Sequence, residues 1–222
     1  LTVDGTAAIN GTISANGASP GNGSGGAGGS VWLTAGALAG VGAVEAKGGP
    51  AQFYGDKGDG GGGRVAVYLT GSESFGSVTL SAAAVNGSGV NGGAGTIYRQ
   101  TGSQGTGSGV VTIDNNTTAS GTTPIPAMVN AVPDELEDAV LVLTNTCSMT
   151  LTTNAAAAGL IVAGTNAKLN LGDAGDRLTV LSLDVNGTSY TRGGTYTSTD
   201  WNGEAAPSNV SGDGEILLFV PS

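Results

Sequence analysis

A short glycine-rich phrase recurs three times in the first half of the chain. It reads Gly-Gly-Ala-Gly-Gly-Ser-Val-Trp-Leu-Thr-Ala-Gly over 25–36, Gly-Gly-Gly-Gly-Arg-Val-Ala-Val-Tyr-Leu-Thr-Gly over 60–71 and Gly-Gly-Ala-Gly-Thr-Ile-Tyr-Arg-Gln-Thr-Gly over 92–102. A second, shorter apolar phrase lies between the copies. Because a unit of about 33 residues cannot bury an apolar face alone, this period is typical of stacked repeats.

The repeated apolar segments predict β-strands. Each is four to six residues long, is rich in Val, Ile, Thr and Tyr, and is bounded by Gly or Asn. We therefore expect an all-β fold, a parallel β-helix (solenoid) with glycine-rich corners that take positive φ and let successive coils approach closely. Trp32, Tyr68 and Tyr98 occupy equivalent places in the three phrases and are expected to form an aromatic ladder.

The glycine content changes midway along the chain. The first 109 residues hold 31 glycines and the remaining 113 hold 11. In the second part apolar and polar residues alternate, and the spacings of Val142 to Ile161 and of Leu151 to Leu169 indicate a shorter coil. The predicted organisation is glycine-rich solenoid repeats over 1–122, a lateral Pro-rich and acidic loop over 123–139, and continuing solenoid rungs with a C-terminal cap over 140–222. Trp201 and Phe219 are expected to seal that end.

Charge and residue types exclude several functions. The chain has 17 acidic and 7 basic residues, a net charge of −10 and no histidine. Scattered cations argue against nucleic-acid binding, and the lack of imidazole removes Ser-His-Asp catalysis and ordinary His-liganded metals. No apolar run is long enough to span a membrane. Cys147 stands alone and is expected to be a small buried hydrophobe.

An enzyme or carbohydrate-binding β-helix is the alternative class. Catalysis would need clustered carboxylates or a basic residue beside aromatic platforms. The candidate acids are Asp56, Asp59, Asp114, Asp173, Asp176 and Asp200. Most of them follow glycine in turn-like contexts, so no catalytic residue is assigned and the protein is expected not to be an enzyme. Sugar binding through Trp32, Tyr68 and Tyr98 stays open beside a purely structural ladder.

Two further kinds of site are considered. Gly- and Asp-rich stretches give weak calcium candidates at Asp56, Asp59, Asp173 and Asp176, and no other cofactor is expected. Glycosylation sequons occur seven times, at Asn10, Asn22, Asn86, Asn115, Asn116, Asn186 and Asn209.

The glycine phrases resemble the repeats of very large secreted bacterial surface proteins. The C-terminal part, with Leu-Ser-Leu-Asp-Val-Asn-Gly-Thr over 181–188 and Gly-Asp-Gly-Glu-Ile-Leu over 212–217, resembles the last rungs of autotransporter-like β-helix repeats. The resemblance implies an extracellular, right-handed parallel β-helix and no particular activity. Such repeats sit inside longer chains, and the start at Leu1 rather than Met fits a processed or excised piece.

The first repeat is incomplete, which directs the functional expectation. A neighbouring subunit could complete it by end-to-end stacking or by strand donation. We therefore expect a secreted or cell-surface structural protein that assembles head-to-tail into a filament or surface layer. The candidate assembly residues are Leu1, Val3, Ile9, Ile13, Ile216, Leu218 and Phe219. The alternative is a surface adhesin or carbohydrate-binding module that contacts cell-surface glycans.

Overall fold

The structure, a computed structural model, describes residues 1–52, 57–87, 90–116, 121–125 and 136–220. Over these residues the chain forms β-strands and no helix, which confirms the all-β prediction. No helix there is long and apolar enough to cross a membrane. The strands described, in chain order, are β1 (Thr2–Ala8), β2 (Thr12–Ser14), β3 (Ser30–Ala39), β4 (Ala43–Glu45), β5 (Arg64–Leu69), β6 (Thr79–Ser81), β7 (Thr96–Gln100), β8 (Val110–Asp114), β9 (Thr122–Ile125), β10 (Val140–Thr144), β11 (Ser148–Leu151), β12 (Ala155–Ala157), β13 (Gly159–Val162), β14 (Lys168–Asn170), β15 (Arg177–Val180), β16 (Leu183–Val185), β17 (Thr188–Tyr190), β18 (Gly194–Thr197), β19 (Val210–Ser211) and β20 (Glu215–Leu218).

One long sheet runs through both halves of the molecule. Its strand order is β1-β3-β5-β7-β8-β10-β13-β16-β17. Its pairs are parallel except β7 with β8 and β16 with β17, which are antiparallel. A short sheet, β2-β4-β6, lies in the first half, and the second half adds a second sheet, β19-β14-β11-β9, and a third, β12-β15-β20-β18.

In the second half the chain visits the three sheets in rotation. Strands β10, β11 and β12 belong to the long, second and third sheets, and β13, β14 and β15 repeat that order. Val142 pairs with Ile161, as the sequence spacing predicts. Leu169 pairs with Met149 and not with Leu151 as predicted, so the predicted register of this pair is wrong by two residues.

A layer of extended glycine-rich segments completes the first half. This glycine layer comprises 15–18, 25–29, 46–49, 58–63 and 90–95. The N–H groups of 25–29 donate to carbonyls of 58–61 on one side and of 15–18 on the other. Likewise Gly60 and Gly63, three residues apart, both donate to 46–49. Residues three apart in a segment therefore donate to the same neighbouring segment, a spacing that matches the three residues per turn of a polyproline II helix.

The glycine layer needs glycine for space and not for its dihedral angles. None of its glycines has φ in the left-handed region. A Cβ added to Gly60 would lie 1.9 Å from the carbonyl oxygen of Gly26, and one added to Gly63 would lie 1.9 Å from that of Gly29. The expectation of glycine-rich corners is therefore wrong for these segments, because the glycines form a hydrogen-bonded layer in which backbones touch directly.

Two apolar cores lie on opposite faces of the long sheet. In β5, Val65 and Val67 face the N-terminal core, whereas Ala66 faces away. Residues paired across a sheet share a face, and Ala66 pairs with Tyr98, which pairs with Val111 on β8. Val111 packs against the C-terminal core. The outward face of the first half thus continues as the core-lining face of the second half.

The antiparallel β7–β8 pair produces this change of face, and the sequence did not predict it. The connecting turn contains Gly107 at φ 83° and is tied to β7, because Gly107 donates to the Gln100 side chain at 3.2 Å. The segment Gly-Val-Val-Thr-Ile-Asp-Asn over 109–115 resembles the shorter apolar phrase that forms β2, β4 and β6, but β8 within it joins the long sheet instead.

The predicted lateral loop over 123–139 is corrected in part. Residues 123–125 belong to β9, which pairs in parallel with β11. Pro124 fits there because β9 is an end strand of its sheet, where a missing N–H is tolerated. Residues 126–135 lie outside the described part of the chain.

Antiparallel strands close the C-terminal end. β17 pairs with β16 and β18 pairs with β20, each in the antiparallel direction. Trp201 is 1% exposed and meets Tyr190 and Tyr196 edge-to-face, with ring centroids 5.6 and 5.2 Å away. Trp201 therefore helps to seal this end, whereas Phe219, the residue that follows β20, is 58% exposed and does not.

Candidate binding groove along the aromatic ladder

Three rows of outward side chains cross strands β3, β5 and β7. The rows are Ser30–Arg64–Thr96, Trp32–Ala66–Tyr98 and Thr34–Tyr68–Gln100. Trp32 and Tyr98 therefore share a row, and Tyr68 lies one row further along. The prediction that the three aromatic residues occupy equivalent places is wrong by this one row, because the true repeat between the strands is 34 and then 32 residues, not 36 and 30.

The diagonal placement still stacks the rings. The Trp32 and Tyr68 ring centroids are 4.6 Å apart with planes at 17°, and those of Tyr68 and Tyr98 are 5.1 Å apart at 44°. Side chains on neighbouring strands that lie one row apart are diagonal neighbours, and long aromatic side chains in this relation are within reach of one another. Exposure falls along the ladder, from 56% at Trp32 to 7% at Tyr98.

Local hydrogen bonds hold both ends of the ladder. Trp32 Nε1 donates to Thr34 Oγ1 at 3.2 Å. The Tyr98 hydroxyl donates to Gln100 Oε1 at 2.8 Å and accepts from the Gly109 N–H at 3.2 Å. The outer ring is thus oriented on its own strand, and the inner ring is fixed by the turn that leads into β8.

The ladder lines a groove of about 800 Å³. One wall is backbone, contributed by Gly29, Gly63 and Gly95 immediately before the three strands. The inner end is closed by the C-terminal core through Val111 and Leu141. The groove is therefore open at Trp32 and apolar at its closed end, with a volume in the range of small-ligand sites.

Arg64 supplies the charge in this groove. Among the described residues that line it, Arg64 is charged and no Asp or Glu is present. Its side chain is exposed and makes no ion pair within the described chain, where the ion pairs are Lys47–Glu45 and Arg177–Glu215.

Two of the four calcium candidates, Asp59 and Asp176, use carboxylate oxygens in backbone hydrogen bonds, whereas Asp173 is exposed. Asp59 is 8% exposed and accepts from the Ala51 N–H at 2.7 Å and the Gly87 N–H at 2.8 Å, one bond to each oxygen. Asp176 accepts from the Asp173 N–H at 2.9 Å within one turn. No cluster of three or more potential metal ligands occurs in the described residues, and Asp56 lies outside them.

Two of the seven sequons are inaccessible. Asn115 and Asn209 are 0% and 6% exposed. The Asn115 amide oxygen accepts from the Ala84 N–H at 2.8 Å, and Asn209 Nδ2 donates to the Ala167 carbonyl at 2.8 Å. These two are corrected as glycosylation candidates because a buried amide cannot carry a glycan. The exposed candidates are Asn10, Asn22, Asn86, Asn116 and Asn186.

The assembly candidates fall into two groups. Ile216 and Leu218 are 0% and 2% exposed, so they fill the C-terminal core and are corrected as subunit contacts. Ile9 is also a core residue. Leu1 and Phe219 are exposed, and Val3 and Ile13 are half-buried against the N-terminal core.

Cys147 is buried next to β11. Its exposed fraction is 0%, and burial raises the pKa of the thiol to about 11. A neutral thiol at this position packs as an apolar group.

Sequence reasoning found the three aromatic residues but missed Arg64 and the closed end of the groove. Arg64 stands two positions before the outward Ala66 in the same strand, so the alternation of side chains along a strand places it on the ladder face and was an available signal. The closure depends on the change of direction at β8, for which the sequence carries no comparable pattern.

Comparison with protein-family models, curated proteins and solved structures finds no match to this chain.

Proposed function

We propose that the protein is a non-catalytic, extracellular binding module that holds carbohydrate in the aromatic groove. The observation that carries this proposal is the position of Trp32, stacked on Tyr68 and 56% exposed at the open end of a groove. An adhesive module keeps aromatic faces on a lateral surface, whereas a filament subunit places its apolar groups at its two ends. The ladder lies on a sheet face, which favours the adhesive alternative.

The groove chemistry suits a sugar. The flat C–H face of a pyranose packs on an aromatic ring, and protein hydroxyl groups beside that ring exchange hydrogen bonds with the hydroxyl groups around the edge of the sugar. Ser30 and Thr96 provide such hydroxyls in the adjoining row. Nucleic-acid bases also stack on aromatic rings, but binding of the strand requires several cations beside the rings. The described groove offers Arg64.

The fold proposed to carry the groove is a parallel β-helix, taken as right-handed from the sequence resemblance. The rotation of strands β10 to β15 through three sheets supports this assignment for the second half. In the first half the glycine layer takes the place of a third sheet. The antiparallel β7–β8 pair would then be the junction of two coiled segments.

The test is a glycan-array screen followed by calorimetric titration of the strongest binder. Trp32→Ala should weaken binding about fivefold or more, because stacking of a ring on an aromatic face is worth ~1–3 kcal/mol. Phe219→Ala is the matched control, since it removes an exposed aromatic side chain outside the groove. Glycan binding that survives both Trp32→Ala and Tyr68→Ala would contradict the proposal.

A second candidate function, self-assembly, rests on the N-terminal end. Among the described strands, β1 and β2 are end strands of the long and short sheets, so one edge of each is open to strand addition. The other end offers antiparallel β17 and β18, which disfavours simple head-to-tail stacking of parallel coils.

Assembly would be seen as filaments by negative-stain electron microscopy. The double variant Thr12→Lys, Ser14→Lys should then disperse them, because lysines block an open edge. Ser189→Lys at the opposite end is the control. Dispersed wild-type protein would end this second candidate.

A further inference from the structure

The charge of the groove is opposite to that of the molecule. The chain carries 17 acidic and 7 basic residues, yet the described lining contains Arg64 and no carboxylate. A surface of net charge −10 repels anions over the screening length of the solvent. A cation with no carboxylate beside it among the described lining residues therefore indicates a ligand that carries a negative group at one defined place.

The position of Arg64 relative to the ladder sets where that group lies. Arg64 shares its row with Ser30 and Thr96, next to the row of Trp32 and Tyr98. Rows on one face of a strand are about 6.6 Å apart. That separation is close to the width of a sugar ring, so a substituent on a ring stacked at Trp32 reaches the guanidinium.

Within the described part of the chain, the guanidinium of Arg64 is available to a ligand. Its side chain makes no ion pair among the described residues, and the backbone N–H of Arg64 is already used in a bond to Gly29. Gly29, Gly63 and Gly95 beside it have no side chains to obstruct a ligand. A guanidinium with this access binds a carboxylate through two parallel N–H···O bonds.

We propose that the groove is selective for acidic saccharides, with a hexuronate ring on Trp32 and its carboxylate on Arg64. This inference rests on the proposed function and names its ligand class. It adds a specificity-determining residue, since the aromatic faces alone would accept neutral and acidic rings equally.

The test compares an acidic sugar with its neutral isostere. Tetragalacturonate and its fully methyl-esterified form are titrated by calorimetry against the wild type, Arg64→Gln, Arg192→Gln and Trp32→Ala, and tetramannuronate is a second acidic probe. We expect an acidic tetrasaccharide to bind the wild type about tenfold more tightly than the ester. Arg64→Gln should abolish that preference by weakening binding of the acid and not of the ester.

Arg192→Gln is the matched control because it removes the same charge from an exposed arginine outside the groove. Equal affinity of the wild type for acid and ester, or a preference that survives Arg64→Gln, overturns the inference while Trp32-dependent binding preserves the proposed function. Failure of both acidic probes to bind also overturns it. Binding that is indifferent to Trp32→Ala contradicts the proposed function itself.

Discussion

Gly60 illustrates how single residues hold the first half together. Its N–H donates to Gly49, and its missing Cβ leaves room for the carbonyl of Gly26 on the other side. Side chains contribute little at this point, so the backbone itself is the packed surface. Gly58, two residues earlier in the same segment, has more space, because the nearest described atom to an added Cβ is the Val90 carbonyl oxygen at 3.7 Å.

Gly60→Ala is therefore expected to lower the free energy of unfolding by at least ~2 kcal/mol, since one methyl group must displace a backbone carbonyl. Gly58→Ala should change it by less than about 1 kcal/mol. Urea unfolding followed by circular dichroism measures both. Equal effects of the two substitutions would show that space is not the reason for glycine in this layer.

Cys147 gives a residue-scale prediction about pH. Its folded-state pKa of about 11 lies above the ordinary value of 9.0. The unfolded chain therefore loses this proton first, and the stability that the neutral thiol contributes is fully present below pH 9 and lost as the pH rises toward 11. The loss amounts to about 3 kcal/mol at most.

The free energy of unfolding is measured in urea at pH 8 and pH 10.5 for the wild type and for Cys147→Ala. Because the tyrosines titrate in both proteins, their contribution cancels in the difference. The stability advantage of the wild type over the variant should shrink at the higher pH. The native thiol should also resist thiol-specific reagents at pH 8 until urea unfolds the chain. Rapid labelling of native protein would contradict the burial.

At the scale of elements, the C-terminal cap depends on three aromatic side chains: Tyr190 on β17, Tyr196 on β18, and Trp201 after them. Trp201 is the central one, because it contacts both Tyr190 and Tyr196. Its Nε1 has no hydrogen-bond partner within the described structure. The cap therefore uses the ring for packing and gains nothing from its N–H.

Trp201→Ala should lower the free energy of unfolding by ~3–5 kcal/mol through the cavity it leaves. Trp201→Phe should cost clearly less, since it keeps an aromatic edge and removes an unsatisfied donor. Thermal and urea denaturation measure the order of the two variants. An equal loss for Phe and Ala would mean that the indole N–H matters.

The sequence predicts the elements well and their pairing less well. Short apolar runs rich in Val and Leu are sufficient to locate β3, β5 and β10. The aligned positions of Trp32, Tyr68 and Tyr98 in the repeated phrases predict that the three rings share one row. The register is set instead by the backbone hydrogen bonds between the strands, and it places Tyr68 one row further along. Glycine was assigned to corners because the sequence cannot distinguish a need for positive φ from a need for space.

At the scale of the whole molecule, two cores share one sheet. The N-terminal core and the C-terminal core lie on opposite faces, joined through the antiparallel β7–β8 pair. Few apolar contacts are therefore common to both, and we expect the halves to lose structure in separable steps.

Leu160→Ala, in the C-terminal core at 0% exposure, should cost ~2–5 kcal/mol. Hydrogen exchange read by mass spectrometry should show faster exchange in strands β10 to β16 and little change in β3 and β5. Val67→Ala is the reciprocal variant for the N-terminal core. Uniform acceleration over both halves in either variant would indicate a single cooperative unit.

The glycine layer and the aromatic ladder are built by the same repeated phrase, and this couples two properties that most proteins vary separately. Each copy brings its own backbone partners for the layer and one ring for the groove. Duplication of a unit of about 33 residues would therefore lengthen the scaffold and add a ring-stacking position in one event. Under the proposed function, the number of copies therefore sets the length of the polysaccharide segment that the protein binds.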